Sequence, residues 1–158
     1  MIYPEDVLIK PSSKVRQIKQ RELRLAKDMI ETMYEEEGVG IAAPQVSVGE
    51  QIIVVSPTAQ PGEEQVYFNP EITDYSNDEE VMSEGCLSLP GVSCEVRRSK
   101  KIKLRALDLN GVSMSLELEG FPARVIQHEV DHLHGKLIID RIDFNRRQLI
   151  LSGYSPRR

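Results

Sequence analysis

Apolar positions along the chain change period several times, and each change marks an element. From Arg21 to Glu37, the residues Leu23, Ala26, Met29, Ile30 and Met33 recur at steps of three and four. That spacing predicts an amphipathic helix, with Pro11, Ser12 and Ser13 in the loop before it and Gly38 as its stop. Gln51 to Val55 and Gln65 to Asn69 read as short strands separated by a loop bearing Pro and Gly. Lys101 to Asp108 alternates, with Ile102, Leu104 and Ala106 on one face and Lys101, Lys103 and Arg105 on the other. Met114, Leu116 and Leu118 repeat the alternation, and Asn110-Gly111 between the two runs predicts a hairpin. Pro122 suits the start of a second helix that runs to about His134, with Gly135 as its stop. Lys136 to Asp140 predicts one more strand, Asn145 to Leu151 a short helix, and Ser152 to Arg158 a frayed end. The pattern gives an α+β fold: small antiparallel or mixed β-sheets around a central helix, preceded by an N-terminal amphipathic helix.

The 158 residues suit a single domain spanning 1–158, with a short tail from about residue 143. No repeat or long linker divides it. Twenty Lys and Arg stand against 25 Asp and Glu, for a net charge of -5. That balance argues against a nucleic-acid coat, which needs a basic face to release counterions, and gives no expectation of specific DNA binding. The longest aliphatic run, Ile52 to Val55, falls far short of the ~20 residues of a membrane span. The first residues lack the basic-then-apolar pattern of a signal peptide. A cytoplasmic location is therefore expected, with an organellar origin left open. The two cysteines, Cys86 and Cys94, are too few for a disulfide framework and too far apart for a zinc knuckle.

The second helix carries the chemistry. It contains His128-Glu129-Val130-Asp131-His132. Histidines at i and i+4 project from one helical face, so their imidazoles can converge on one metal ion, while Glu129 is placed to reach a metal-bound water. Two helical ligands leave a catalytic site short of a third. Downstream, His134 falls on the wrong side of the helix and reads as a solvated helix end, and Asp140 and Asp143 have no distinguishing context. Upstream, Cys86 stands in Ser83-Glu84-Gly85-Cys86-Leu87-Ser88-Leu89-Pro90 and would complete a Cys-plus-two-His set. A free cysteine is more often an inert buried hydrophobe, and Cys94 keeps that reading.

Three separated blocks, in order, resemble the peptide deformylase family: Gly38-Val39-Gly40-Ile41-Ala42-Ala43-Pro44-Gln45, Glu84-Gly85-Cys86-Leu87-Ser88, and Gln127-His128-Glu129-Val130-Asp131-His132-Leu133. The resemblance covers roughly Tyr3 to Arg141. It implies a metallohydrolase that removes the N-formyl group from formylmethionyl nascent chains. By similarity, Cys86, His128 and His132 bind one divalent metal, and a hydroxide in the fourth position attacks the formyl carbon. Glu129 would act as general base and then acid, while the Gln45 amide and the Leu87 backbone N–H stabilise the oxyanion. The family is associated with ferrous iron in the cell, while the donor set also suits zinc, nickel or cobalt. Backbone groups at Val39, Gly40 and Gly85 would hold the peptide as an added strand. Val39, Leu89, Phe121, Val125 and His128 are candidates for the methionine pocket.

Two departures accompany the resemblance. Arg124 shares a helical face with His128 at a position that is often apolar in the family. The expectation is that it lines the pocket mouth and reaches a substrate carbonyl or an acidic substrate residue. Arg98 reads either as the family's arginine after the cysteine motif or as a surface charge at a strand start. The chain also carries only a short basic end, with arginines at 146, 147, 157 and 158, where some members extend a long helix toward the ribosome. Transient ribosome contact through so short a tail is disfavoured by the acidic remainder. Two other readings stand beside the main one: a zinc peptidase built on the same helix, and an inactive metal-stabilised binding domain. The first lacks a third ligand after the helix. The second would be expected to have lost Glu129 or Gln45, and both are present.

Overall fold

The computed structural model describes residues 1–155; the expected arginines at 157 and 158 lie outside the described residues. After a single turn of helix, α1 (Asp6–Ile9), comes α2 (Gln20–Glu35). The Lys19 N–H donates to the Glu22 carboxylate at 3.0 Å, which satisfies one orphan donor at the N-terminus of α2. Five strands, β1 (Gly40–Ala42), β2 (Ile52–Val55), β3 (Gln65–Tyr75), β6 (Lys101–Leu107) and β7 (Ser113–Glu119), form one antiparallel sheet in the order β1-β2-β3-β6-β7. The remaining two, β4 (Glu79–Cys86) and β5 (Leu89–Ser99), pair only with each other. The helix α3 (Phe121–Leu133) runs between the two sheets, and α4 (Phe144–Ser152) follows it.

The unbroken aliphatic run of β2 has a direct cause. Ile53 and Val55 pack with Val125, Ile126 and Val130 of α3, while Ile52 and Val54 pack with Ala26, Met29 and Met33 of α2. A strand covered on both faces reads as continuous hydrophobe. On β6, apart from Leu107 at its end, which packs on the α2 side, only the inward residues Ile102, Leu104 and Ala106 are buried. Its outward charges pair across strands, Lys103 with Glu117 at 3.8 Å and Arg105 with Glu71 at 2.9 Å. These pairs are exposed and contribute at most about 1 kcal/mol each.

Several sequence expectations need correction. The β4–β5 pair has no counterpart among the expected strands. Most of β4 is exposed, and the inward positions of β5 include the buried Arg98 alongside Cys94 and Val96, so neither strand shows a clean apolar alternation. β3 runs on to Tyr75, past the bulge around Asn69, which adopts a positive φ of 51°. Asn110 and Gly111 do close the β6–β7 hairpin, in a five-residue loop fastened by the Asp108 N–H to Val112 O bond at 3.0 Å; only Gly111 takes positive φ. The expected strand at Lys136 to Asp140 is instead a 3-10 turn, Ile138–Arg141. Ile138 and Ile139 are consecutive and both buried against the β5 side, which a one-faced strand cannot achieve. Tyr154 is tied down rather than frayed, since its hydroxyl donates to Tyr3 O at 3.2 Å.

Gly135 ends α3 with a φ of +74°, and a Cβ there would sit 2.7 Å from Ile9 O. Strain and collision then act together. Gly135→Ala is expected to destabilise the protein by about 2 kcal/mol or more in urea unfolding. Gly62→Ala, at φ +94° with open space around it, should cost only about 1 kcal/mol.

Candidate active site

Cys86, His128 and His132 come from two elements that meet at the seam between the sheets. The i, i+4 spacing on α3 stacks the two imidazoles edge-on, with ring centroids 5.2 Å apart. Cys86 ends β4 where the β4–β5 register slips, and its Sγ lies 3.4 Å from His132 Nε2. One donor atom from each of the three residues lies within 4.8 Å of the others. Burial alone would raise the Cys86 thiol, yet the neighbouring His132 and His128 pull it down to about 5. The neighbouring imidazoles thus favour the thiolate, the form of the sulfur that ligates a metal.

His128 Nδ1 is 2.9 Å from Glu84 Oε1, which turns Nε2 toward Glu129 and the Cys86 sulfur. Burial opposes a proton on this ring, but hydrogen bonding with Cys86 and Glu84 outweighs it and raises the pKa to about 10. Glu129 Oε1 stands 3.6 Å from His128 Nε2, whereas Glu129 Oε2 is buried with no hydrogen-bond partner. Burial pushes this carboxyl upward. A buried, unpaired carboxylate oxygen beside one thiolate and two imidazoles suits a site that receives a cation and water. The residues fit a divalent metal of borderline softness.

A cleft of about 480 Å³ opens over these groups. Val39, Gly40, Gln45, Gly85, Leu87 and Leu89 line it, as do Phe121, Arg124, Val125, His128 and Glu129. His132 lies behind Cys86 and is almost wholly buried. Gln45 is held in a 3-10 turn, Ala43–Val46, rather than on a surface loop. Its Oε1 accepts the Ala42 N–H at 2.9 Å, so its Nε2 must face the site, where Ser88 Oγ is at 3.2 Å and Cys86 Sγ at 3.9 Å. Gly40 is required by a close approach, because a Cβ would come within 2.9 Å of Glu129 Cγ. His134 is exposed at the helix end, and Asp140 is occupied by the Leu137 N–H and Arg147. Neither belongs to the donor set found among the described residues.

A family model for polypeptide deformylase matches residues 1–148. The peptide deformylase of Aquifex aeolicus is 43% identical over 157 residues, covering 98% of this chain and 92% of its own. Peptide deformylase 1 of Clostridium perfringens is 49% identical over 136 residues, covering 86% and 91%. The chain belongs to the polypeptide deformylase family. Solved structures agree: a deformylase from Plasmodium falciparum superposes with a TM-score of 0.91 at 32% identity, covering 96% of this chain and 90% of its own. One from Thermotoga maritima gives 0.85 at 41% identity, covering 90% and 95%. The peptidase and binding-domain readings give way to this membership. Deformylases are metalloenzymes, and the donor set described above is the place in this chain that could hold the ion.

Behind the cleft of this deformylase lies a buried charge network that the sequence reading missed. Glu84 accepts from Arg98 Nε at 2.7 Å and Nη2 at 2.9 Å, and also from Arg124. Burial opposes its charge, but His128 and Arg98 hold its carboxyl down at about 2. Arg98 Nη1 continues to Asp131 at 2.9 Å, which Arg141 grips from the other side at 2.6 Å. The surface reading of Arg98 is thus replaced: it is 5% exposed, on an inward position of β5. Arg124 also needs correction. It lines the cleft, but its guanidinium is engaged by Glu84, Val96 O and Glu80 O, so it is not free to reach substrate.

Removing one partner of a buried charge network leaves another charge stranded. Arg98→Met should therefore lower unfolding free energy by about 3–5 kcal/mol in chemical denaturation, against less than about 1 kcal/mol for Arg105→Met at the surface. Gly40→Ala is expected to lower activity about tenfold or more with little loss of fold, because the new methyl displaces Glu129.

Proposed function

We propose that this deformylase hydrolyses the formamide of N-formylmethionyl peptides through Glu129, Gln45 and the Leu87 backbone N–H, at a metal held by Cys86, His128 and His132. The observation that carries the reading is Glu129: a buried carboxylate with one oxygen unpartnered, on the cleft wall beside the donor triangle. The metal, when bound, supplies Lewis-acid polarisation and lowers the pKa of a coordinated water. Glu129 takes the proton of the attacking water, holds it while the tetrahedral carbon forms, and delivers it to the departing amine. Burial raises its carboxyl, the direction that favours handing the proton on to the amine.

Gln45 meets the developing negative charge with Nε2, and its orientation is fixed in advance by the Ala42 N–H on Oε1. Preorganised donors of this kind need no reorientation as charge develops. The apolar wall formed by Leu89, Val125, Val39 and Phe121 suits an unbranched methionine side chain. Peptide backbone has two edges to join. β1 ends the five-stranded sheet and β4 belongs to a two-stranded one, so each has a free side. Val39 O already accepts from the Ser56 N–H at 2.7 Å, and by strand alternation Gly40 turns its backbone groups toward the free edge. Recognition through backbone would accept many nascent chains with little regard to sequence. Ferrous iron is the proposed cellular metal and the cytoplasm the proposed location.

Anaerobic reconstitution with iron, nickel or zinc, followed by formate release from formyl-Met-Ala-Ser, tests the reading. Glu129→Gln should keep about one metal per chain while turnover falls ~10²–10⁴-fold. Gln45→Ala should lose ~10²–10³-fold in kcat with a smaller change in KM. A Glu129→Gln protein as active as wild type would overturn the proposal.

A further inference from the structure

The two halves of the donor set are carried by different substructures. His128 and His132 are on α3, which is buried against the five-stranded sheet. Cys86 is on β4, in the separate two-stranded sheet, and residues 79–83 of that strand are all exposed. Apolar packing therefore fixes the imidazoles firmly and the start of the thiolate's strand weakly. Cys86 itself packs beside Leu89 and Ile138 in an apolar cluster separate from α3, so polar contacts across the seam help set the distance between the two halves.

Arg124 occupies that gap. From the first turns of α3, its Nη2 donates to Glu80 O of β4 at 2.6 Å and its Nη1 to Val96 O of β5 at 3.0 Å. Nη1 also reaches the Glu84 carboxylate, whose other oxygen meets His128 Nδ1 at 2.9 Å. One buried guanidinium thus touches both strands of the hairpin and the carboxylate that orients a ligand histidine. Among the described residues, the other side-chain links between α3 and β4 are themselves at the donor set, His128 to Glu84 and Cys86 to His132, while Gln127 to Ser99 and Asp131 to Arg98 join α3 to β5 alone. Two of the three acceptors are backbone carbonyls at different strands, a spread that suits the planar fork of Arg and not the point charge of Lys.

We propose that Arg124 is a positioning residue which clamps the β4–β5 hairpin to α3 and so sets the affinity of the Cys86–His128–His132 triangle for its metal. The inference rests on the reading of that triangle as the metal site. Groups behind first ligands commonly alter metal affinity by 10–100-fold when removed. Here the effect arises because the thiolate and the imidazoles lose their fixed separation, while the hydrophobic clusters of the sheet and helices remain.

The test is cobalt affinity of the full-length apo-protein, measured anaerobically by competition with a chromophoric chelator. Wild type is compared with Arg124→Met and Arg124→Lys, and far-UV circular dichroism checks that each is folded. Arg124→Met is expected to bind cobalt ~10–100-fold more weakly. Arg124→Lys keeps the charge but loses the fork, and should also weaken binding by about tenfold or more. The metal-induced rise in Tm should shrink in both. A residue that merely stabilised the fold would lower apo and loaded Tm together and leave that rise unchanged. If Arg124→Met does not fold, Arg124→Lys decides the matter alone. Either folded variant binding cobalt within about twofold of wild type overturns the clamp. Failure of wild type itself to take up cobalt would instead overturn the metal-site reading, and the clamp with it.

Discussion

One buried carboxylate holds this site together. Glu84 sits at the seam between two sheets, shared by Arg98, Arg124 and His128. Ion pairs taken out of water rarely contribute much net stability, because desolvation consumes most of the attraction. Their use here is directional. A charge this deeply buried has few arrangements that satisfy it, so β4, β5 and α3 must meet in one relative position. The same carboxylate holds one imidazole by Nδ1 and turns its Nε2 toward Glu129 and the Cys86 sulfur, which couples the assembly of the fold to the chemistry of the ligand.

The rest of the fold follows a division of labour. Hydrophobic burial builds the five-stranded sheet and covers β2 on both faces with α2 and α3. A second apolar cluster, Leu89, Cys94 and Val96 with Leu137, Ile138 and Ile139, anchors the β4–β5 hairpin, polar contacts join it to α3, and the cleft lies at that seam. That placement exposes free strand edges on β1 and β4 beside the donor triangle, while Gly40 keeps enough room for Glu129. A cleft at a seam can open to the surface and still keep Glu129 buried on its wall.

Much of this was legible in the sequence because it rests on local rules. The helix from Gln20, the β6–β7 hairpin and the i, i+4 histidines each follow from spacing within a few residues. Cys86 was accessible only through its motif, since nothing local distinguishes a ligand thiol from a buried one. The β4–β5 pair escaped because its inward face mixes charge with hydrophobe: Arg98 takes a position where alternation calls for an aliphatic residue, and it is stable there only because Glu84 and Asp131 arrive from elsewhere in the chain. Arg124 was misread for the same reason. Its helical face was right, but its acceptors lie 28 to 44 residues away in sequence, on strands that had not been assigned. The turn at Ile138–Arg141 was mistaken for a strand because short apolar runs fit either geometry.

In the proposed site, one ion joins the β4 thiolate to the two α3 imidazoles. X-ray absorption at the metal edge of the nickel-loaded protein tests it most directly. One sulfur and two imidazole nitrogens are expected around nickel, with the sulfur lost in Cys86→Ala. A wild-type spectrum without sulfur, or one unchanged by Cys86→Ala, would contradict it.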